Sequence, residues 1–458
     1  MQHLLADPDP VLLAHARSAV PRYTSYPTAP HFSAAVGPAV YGDWLAELGR
    51  GPETALSLYL HVPFCRDLCA YCGCHTKATH REEPVRAFAA VLLEEIALVG
   101  RRIGRPLPVS HIHWGGGTPS MLPADCLRAV VARLKEYFIF RPDMEHAIEL
   151  DPRLVDERLV ETLAEVGITR ASLGVQDVEP QVQAAIHRVQ PLAQVERAVA
   201  LLRGAGITAL NFDLIYGLPH QTAETVRRTA ECAADLAPDR LAVFGYAHVP
   251  WMKANQKLID EAALPGAVAR IALEEIMRDT LMARGYRPVG IDHFVRPDDP
   301  MAEQAVAGTL RRNFQGYTTD AAPALIGFGP SSIGRLPMGY AQNVPDTGGW
   351  ERLVMAGEPP IVRGHAFSDE DRLRAAVIER LMTDFAVDTD AVAADLALPA
   401  ELLGDWRPAL ERVVEDGIAE VTGPEVRVTP RGRPVARVVA AAFDAYLATG
   451  KARHSVAV

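Results

Sequence analysis

Three cysteines stand close together at positions 65, 69 and 72, with the spacing C-x3-C-x2-C. Three thiolates at this spacing can bind three irons of a four-iron, four-sulfur (4Fe-4S) cluster, which normally has four protein ligands. With only three ligands, one iron keeps an open position for a small chelating molecule. Cys65, Cys69 and Cys72 are therefore the predicted metal ligands of one cluster.

The same loop permits two other interpretations. Cys65, Cys69, Cys72 and Cys74 could bind a structural zinc ion, with His75 and His80 close by. Structural zinc sites usually combine two separated pairs of ligands, whereas these cysteines crowd into a single loop, which suits tetrahedral geometry poorly. A disulfide framework also fits poorly, because the chain has 458 residues and only six cysteines. We therefore favour the cluster.

Strand-like apolar runs alternate with helix-patterned segments from about residue 56 onward. This alternation, with nearly continuous apolar strands, predicts a parallel sheet buried on both faces, either doubly wound or a full or partial βα barrel. The predicted strands are 57–63, 110–114, 146–150, 170–175, 210–215, 241–247 and 288–294, and the predicted helices are 85–100, 123–138, 192–204, 223–236 and 268–285.

Polar motifs fall at the carboxyl ends of the predicted strands. After the cysteines come the segments 115–118, 149–152, 176–177 and 216–219. Parallel βα sheets place their active sites at this edge, so the motifs are expected to share one site.

The glycine triplet Gly115 to Gly117 and the following Thr118 form one of these motifs. A backbone without side chains lets a ligand approach, and its amides and the Thr118 hydroxyl can donate to a carboxylate or an amine. The alternative is a tight turn between a strand and a helix.

Two acids in the predicted strands, Glu149 and Asp213, are candidates for ligand binding. Glu149 shares a strand face with Asp151, two residues on. Burying a carboxylate without a partner is costly. Each acid is therefore interpreted as a ligand-binding group, and the alternative is a structural ion pair with an arginine such as Arg170 or Arg188.

The net charge of −11 argues against non-specific nucleic-acid binding. It does not exclude an anionic substrate, because arginines can gather locally. The segments 21–28 and 310–319 mix arginine, aromatic and hydroxyl side chains. They could bind a flat macrocycle with carboxylate arms, with Arg22, Arg311 and Arg312 as the candidate cations. An ordinary ordered loop is the alternative.

The composition is ordinary for a soluble protein, and no apolar run approaches the length of a membrane span. The first residues lack the pattern of a signal peptide, so we expect a cytoplasmic protein. The segment from about residue 364 predicts two helices, a β-hairpin at 420–428 and a last helix at 431–446. This order is typical of a winged-helix-like module. It could bind DNA, but in so acidic a chain we favour a covering domain.

Motifs along nearly the whole chain resemble one family, the oxygen-independent coproporphyrinogen III oxidases, which are radical S-adenosylmethionine (SAM) enzymes of haem biosynthesis. The matching motifs are PRYTSYPT at 21–28, SLYLHVPFC at 57–65, CAYCGC at 69–74, HWGGGTPS at 113–120, GVQD at 174–177, DLIYGLP at 213–219, YAH at 246–248, DHFVRPDD at 292–299, RNFQGYTT at 312–319 and TPRGR at 429–433.

The resemblance implies an α/β fold: a partial (β/α)6-type radical SAM barrel, with an N-terminal extension and a small, mostly helical C-terminal domain. The implied divisions are 1–50, an extension contributing to the substrate site; 51–363, the catalytic barrel; and 364–458, the winged-helix-like domain. The resemblance also implies that the chain acts as a monomer.

The resemblance implies site residues position by position. Besides the three cluster cysteines, one SAM molecule would contact Tyr59, Gly116, Glu149 and Ile333. A second SAM molecule would contact Tyr71, Gly117, Thr118, Gln176, Arg188, Asp213 and Ala247. Cys74 matches a cysteine beside the site that is not a cluster ligand, and Phe314 and Gln315 match a loop near the second cofactor. The residues implied in catalysis are Tyr59, Cys74, Glu149, Phe314 and Gln315.

The implied reaction is oxidative decarboxylation of two propionates of coproporphyrinogen III, giving the vinyl groups of protoporphyrinogen IX through a 5'-deoxyadenosyl radical. A low-potential electron donor such as flavodoxin or ferredoxin is the implied protein partner. The alternative is a haem chaperone of the same superfamily. Such chaperones keep C-x3-C-x2-C but usually lack the fourth cysteine and the motifs at 21–28 and 312–319, all of which this chain has.

Overall fold

The computed structural model describes residues 9–447. The chain divides into two compact units, each built from segments that are not consecutive. We call Phe32–Asp213 with Asp320–Ala366 the cysteine unit, and Leu214–Thr319 with the described residues of Met1–His31 and Phe367–Val458 the arginine unit. The three-part division into 1–50, 51–363 and 364–458 stays a prediction, and its first and last few residues (1–8 and 448–458) lie outside the described residues.

The centre of the cysteine unit is a parallel sheet. Strand Leu56–Val62 lies between strands Ala324–Phe328 and Leu107–Gly116 and is parallel to both. Six of its seven residues are buried, which is typical of a strand covered on both faces. Phe138–Leu150, Arg170–Gln176 and Ala209–Tyr216 follow in order on one side, and Ile333–Leu336, Gly339–Asn343 and Ile361–Ala366 follow on the other.

The register of these strands aligns their carboxyl ends. Val62 lies opposite Gly116, and Glu149 lies opposite Ser172 on the neighbouring strand Arg170–Gln176. The motifs that follow each strand therefore meet at one edge, which confirms that part of the sequence prediction. The antiparallel strands beyond Ala324–Phe328 were not predicted from the sequence.

Helices cover the sheet of the cysteine unit. Glu83–Ile103 buries Phe88, Leu92 and Ile96 along one face and ends at Gly104, whose φ of 81° is left-handed. The other helices of this unit are Pro38–Arg50, Ala124–Tyr137, Glu157–Glu165, Pro180–Ala185, Leu192–Gly204 and Thr347–Met355.

The arginine unit contains shorter strands and more helix. Its longer helices are Pro10–Ala16, Ala223–Asp235, Ala267–Ala283, Pro300–Ala307, Asp369–Thr383, Thr389–Asp395 and Arg407–Glu415. Its strands are Arg240–Gly245, Arg287–Val289, His293–Val295, Arg311–Asn313, Gly316–Thr318, Ala386–Asp388, Ala419–Thr422 and Glu425–Val428.

Two sequence predictions in this unit are wrong in detail. The segment 288–294 is not one strand but two antiparallel strands, Arg287–Val289 and His293–Val295. The chain turns between them at Gly290, whose φ of 59° is left-handed and whose missing side chain leaves room for the ring of Tyr317. The predicted helix at 431–446 is broken into short pieces, because Pro434 lies inside it.

The C-terminal segment shares a core with the start of the chain. Leu12 packs into the same buried cluster as Leu373, Val413 and Val426. The predicted hairpin at 420–428 is present, and strand Ala386–Asp388 adds to it to make a three-stranded antiparallel sheet. Across residues 9–447, none of the helices has the length and apolar character needed to cross a membrane.

Candidate functional site

The cysteine loop follows strand Leu56–Val62 directly, at the edge where the parallel strands end. Each of the three predicted ligand sulfurs accepts a hydrogen bond. Thr76 Oγ1 and Thr118 Oγ1 donate to Cys65 Sγ at 3.2 and 3.5 Å. Donors around the sulfurs of a cluster site stabilise the thiolate form and adjust the reduction potential of the iron.

The other two sulfurs have donors of different kinds. Arg188 Nη1 donates to Cys69 Sγ at 3.6 Å, which places a cation beside that sulfur. The backbone N–H of Cys74 donates to Cys72 Sγ at 3.4 Å. Cys74 thus supports a neighbouring sulfur through its backbone, as fits a residue predicted not to be a ligand.

The loop suits a cluster better than a single ion. A structural zinc ion requires four ligands that converge on one point, whereas the irons of a 4Fe-4S cluster lie apart and need only one thiolate each. Three hydrogen-bonded thiols on one loop fit the second requirement.

The glycine triplet lies against the loop with no room for side chains. At Gly115, a Cβ atom would lie 2.7 Å from Glu149 Oε1, and at Gly117 one would lie 2.5 Å from Thr76 Oγ1. Gly116 has a left-handed φ of 110°, and a Cβ there would lie 2.7 Å from the ring of His61. Neighbouring atoms lie too close to each of these positions for a side chain, so glycine is required at all three. The backbone without side chains also lets a ligand approach.

The amides of the triplet are already used within the protein, contrary to the expectation that they donate to a ligand. Gly117 N donates to Val62 O at 2.8 Å, and Thr118 N donates to Phe64 O at 2.7 Å. These two amides extend the backbone hydrogen bonds of the sheet and are not available to a ligand. A ligand could contact the carbonyl oxygens here, and the lack of side chains lets it approach.

Glu149 is held at the end of its strand with part of its carboxylate accessible. His113 Nε2 donates to Glu149 Oε1 at 3.0 Å, and Gly116 N donates to Oε2 at 3.3 Å. The side chain of Glu149 is 38% exposed, so further lone pairs remain open to an amine or a hydroxyl.

Tyr59 and His61 face the same side of their strand, where Tyr59 lies against Gly115 and His61 lies against Gly116. His61 Nε2 donates to the carbonyl of His75 at 2.8 Å, so its Nδ1 accepts from the Tyr59 hydroxyl at 3.1 Å. Burial lowers the pKa of His61 to about 4, so its ring is neutral near pH 7. The hydroxyl of Tyr59 is thus directed at His61, and its ring stacks on His113 at 6.0 Å.

A second set of polar groups lies around the end of strand Arg170–Gln176. Arg188 Nη2 donates to Gly174 O at 2.8 Å, and its Nη1 lies 3.4 Å from Asp151 Oδ2. Its Nε is buried and has no hydrogen-bond partner among the described residues. Gln176 has a left-handed φ of 66°, an uncommon conformation that is frequent at functional sites.

Asp213 accepts from Ser172 Oγ at 3.1 Å and from Asn211 Nδ2 at 3.3 Å. The two arginines considered as its partners contact other acids: Arg170 contacts Glu145 at 3.0 Å, and Arg188 contacts Asp151. Asp151 is itself held by Arg153 and Arg188, which keep its pKa below the usual value although burial opposes this. Asp151 is therefore a structural group that positions Arg188.

The remaining predicted residues lie in different places. Ile333 begins strand Ile333–Leu336 in the cysteine unit, and Tyr71 lies within the cysteine loop. Ala247, Phe314 and Gln315 belong to the arginine unit. Phe314 and Gln315 form the turn between strands Arg311–Asn313 and Gly316–Thr318, where Gln315 N donates to Asn313 Oδ1 at 2.9 Å.

Three supporting residues, Thr76, His61 and His113, were not singled out from the sequence, and Asp151 was noted only as a neighbour of Glu149 on its strand. Thr76 contacts a cysteine sulfur, and His61 contacts the glycine triplet. His113 contacts Glu149, and Asp151 contacts Arg188. The alternation of Tyr59 and His61 on one strand could have indicated one of them. Nothing in the spacing of Thr76 or Asp151 shows what they contact.

Comparison with known proteins gives consistent results. Residues 59–233 match the radical SAM superfamily. The chain is 45% identical over 446 residues to the oxygen-independent coproporphyrinogen III oxidase of Bradyrhizobium diazoefficiens, covering 97% of this chain and 99% of that protein. It is 46% identical over 428 residues to the protein of the same name from Paracoccus denitrificans, covering 93% of this chain and 94% of that one.

The fold is similar to a solved structure as well. Coproporphyrinogen III oxidase from Escherichia coli, described as a radical SAM enzyme, matches with a TM-score of 0.89 and 36% identity, covering 97% of this chain and 100% of that chain. This likeness confirms the predicted fold class, a partial (β/α)6-type barrel with an N-terminal extension and a small, mostly helical C-terminal domain.

Proposed function

Because the chain belongs to the oxygen-independent coproporphyrinogen III oxidases of the radical SAM superfamily, we propose which of its residues carry out that family's reaction. The reaction is the oxidative decarboxylation of coproporphyrinogen III to protoporphyrinogen IX in haem biosynthesis. Each of two propionates loses a hydrogen atom, carbon dioxide and one electron, and becomes a vinyl group. The cofactors are a 4Fe-4S cluster and SAM.

Cys65, Cys69 and Cys72 bind the cluster in this proposal. When bound and reduced, the cluster supplies the electron that splits SAM and yields the 5'-deoxyadenosyl radical that removes a propionate hydrogen atom. The observation that carries the proposal is the loop itself, in which each of these three sulfurs accepts a hydrogen bond.

The first SAM molecule lies along the glycine triplet. Glu149 accepts from its amino group, since the carboxylate is partly exposed and held by His113 and Gly116. Tyr59 is a wall of this site because its ring is fixed by His61. Ile333 provides an apolar contact.

A second SAM molecule lies by Tyr71, Gly117, Thr118, Gln176, Arg188, Asp213 and Ala247 in this proposal. The Nε of Arg188 supports it, because this atom is buried without a hydrogen-bond partner among residues 9–447 and a buried guanidinium requires an acceptor such as a carboxylate. Asp213 accepts hydrogen bonds here and can accept another from a ribose hydroxyl. The reaction oxidises two propionates, so a second SAM molecule has a role in the second oxidation.

Three further roles complete the proposal. Cys74, Phe314 and Gln315 contact substrate or cofactor beside the cluster. The electron comes from a separate low-potential protein such as flavodoxin or ferredoxin, since outside the loop the chain has only two cysteines, Cys126 and Cys232. The chain acts as a monomer in the cytoplasm, where its thiols and an oxygen-sensitive cluster stay reduced.

The test is anaerobic turnover by the full chain after cluster reconstitution. Coproporphyrinogen III, SAM and dithionite should give protoporphyrinogen IX, with two 5'-deoxyadenosines formed per product. Cys65→Ser should abolish turnover and cluster colour, whereas Cys126→Ser, which changes a cysteine on a covering helix, should keep both. A brown wild-type protein that cleaves SAM without forming any vinyl product would overturn the proposal.

A further inference from the structure

A group of arginines gathers within the arginine unit from four distant parts of the chain. They lie on the N-terminal segment, on helix Ala267–Ala283, on strand Arg311–Asn313 and on helix Ala436–Ala440. We call them the arginine cluster: Arg22, Arg270, Arg312 and Arg437.

Contacts around one glycine bring three of the four together. Arg22 Nη2 donates to Gly245 O at 3.2 Å. A Cβ at Gly245 would lie 3.2 Å from Arg270 Nη2, so the guanidinium of Arg270 lies beside the same glycine. Arg312 Nη2 donates to the carbonyl of Arg22 at 3.4 Å. Three cations are thus held in one small region.

Arg437 is the buried member of the cluster, with 7% of its surface exposed. Burial and the charges of Arg22 and Arg312 lower its pKa to about 10. Burial and the charge of Arg22 also lower the pKa of Arg270. Burial is the larger cause of both shifts, and repulsion between the cations adds to it; an anion placed among the cations would relieve the repulsion.

The nearby acids have other partners. Asp292 contacts His293 Nδ1 at 2.7 Å, and Glu274 contacts Arg278 at 3.3 Å. Glu379 accepts from the backbone N of Arg312 at 3.0 Å and contacts Arg311 at 3.4 Å. The acids therefore do not neutralise the whole cluster.

Several N–H donors of the arginine cluster remain available to a ligand. Arg270 Nε, and both Nε and Nη1 of Arg312, are buried without a hydrogen-bond partner among the described residues. A buried guanidinium without an acceptor is costly unless a ligand supplies one. The fork of N–H donors suits a carboxylate, which can accept from two nitrogens at once.

Aromatic rings adjoin the same cations. The guanidinium carbon of Arg312 lies 4.4 Å from the centre of the Tyr317 ring, and that of Arg270 lies 5.8 Å from the centre of the Tyr216 ring. Carboxylate-binding donors next to aromatic faces match a molecule that combines flat rings with acidic side chains.

We propose that Arg22, Arg270 and Arg312 bind propionate carboxylates of the tetrapyrrole substrate. This inference rests on the proposed function and adds one residue, Arg270, that no motif indicated. It also removes Arg311 from the candidates named by the sequence, since the side chain of Arg311 contacts Glu379.

The test measures equilibrium binding of coproporphyrin III, the stable oxidised form of the substrate, to the cluster-loaded full chain by fluorescence without oxygen. Arg270→Met and Arg312→Met should each weaken binding by about 10- to 100-fold, the loss of one charge-assisted hydrogen bond. Arg311→Met is the matched control and should bind like the wild type.

The tetramethyl ester of coproporphyrin III separates a binding role from a folding role. Arg270→Met and Arg312→Met should bind this uncharged ester as the wild type does, because the arginine cluster recognises the negative charge of the carboxylates. If both variants bind the acid with wild-type affinity, or lose acid and ester equally, the inference is wrong. Reductive SAM cleavage by the wild type without porphyrin tests the proposed function separately, so the two failures can be told apart.

Discussion

Arg188 places a cation against the sulfur of Cys69, with Nη1 and Sγ 3.6 Å apart. The same side chain is fixed by Asp151 and by the carbonyl of Gly174, and it leaves Nε without a partner among the described residues. One residue thus joins a predicted cluster ligand to the proposed second cofactor site.

Removing this cation should make the cluster harder to reduce. Arg188→Met takes a positive charge from beside a thiolate ligand, and the reduced cluster carries one more negative charge than the oxidised form. We expect the reduction potential to fall by an amount on the order of tens of millivolts. A redox titration followed by electron paramagnetic resonance measures it. Arg170→Met, which removes a cation paired with Glu145, should leave the potential unchanged; equal potentials in all three proteins would contradict the prediction.

The thiol of Cys74 should not be needed for the cluster to assemble. Cys74→Ser keeps the backbone N–H that donates to Cys72 Sγ at 3.4 Å. Iron and sulfide content should therefore match the wild type, with turnover reduced or lost. Cys72→Ser should lose both iron and sulfide. A Cys74→Ser protein without a cluster would show that the thiol is a ligand.

The proposed second SAM site predicts a binding stoichiometry. The cluster-loaded wild type should bind close to two SAM molecules, and Asp213→Asn should bind about one, because Asn offers one acceptor oxygen where Asp213 already receives two hydrogen bonds. Equilibrium dialysis measures this. Asp156→Asn, the same change at the exposed start of helix Glu157–Glu165, is the control. A saturating stoichiometry of one in the wild type would rule out the second site.

A side chain at Gly116 should block the first cofactor site. Gly116→Ala puts a Cβ 2.7 Å from His61 at a left-handed φ of 110°. The strain should cost about 1–3 kcal/mol and displace the backbone on which SAM is proposed to lie, so SAM affinity should fall roughly tenfold or more. Isothermal titration measures it. Gly73→Ala, where a Cβ meets no atom within 4 Å, should bind normally, and normal binding by both variants would count against the site.

Glu95 should make stability depend on pH. It is buried and accepts from Gly329 N, Asn343 Nδ2 and Trp350 Nε1 at 2.7, 2.6 and 3.1 Å. Burial raises its pKa from 4.5 to about 7 despite these donors. The folded state therefore holds a proton that the unfolded state releases, and this contribution is complete below about pH 4.5 and is lost as pH rises to about 7.

The change amounts to about 3 kcal/mol over that range. Guanidinium denaturation between pH 5 and pH 8 should show it as a falling midpoint in the wild type. Glu95→Gln cannot ionise at this position, so its midpoint should be lower overall but should fall less between pH 5 and pH 8 than that of the wild type; Glu274, whose pKa burial also raises to about 7, accounts for part of the remaining fall. Parallel curves for the two proteins would contradict the assignment.

Much of the fold and part of the site follow from local patterns. The core strands and covering helices lie close to their predicted positions, because apolar periodicity depends only on neighbouring residues. The prediction failed at Gly290 and Pro434, where a turn and a helix break were read as continuous elements. The antiparallel strands after Phe328 were missed, because short strands carry little periodic signal.

The spacing of Cys65, Cys69 and Cys72 and the run Gly115 to Gly117 determined the chemistry and the edge at which it takes place, because both lie within single loops. Tertiary structure decided which groups support them: Thr76 lies 11 residues beyond Cys65, and Arg188 and Asp151 come from other segments that the fold brings to the cysteine loop. The same holds for the arginine cluster, whose members lie up to 415 residues apart between Arg22 and Arg437. Contacts between residues so far apart along the chain depend on the topology of the fold and on how buried charges are balanced. Neither can be inferred from neighbouring residues in the sequence.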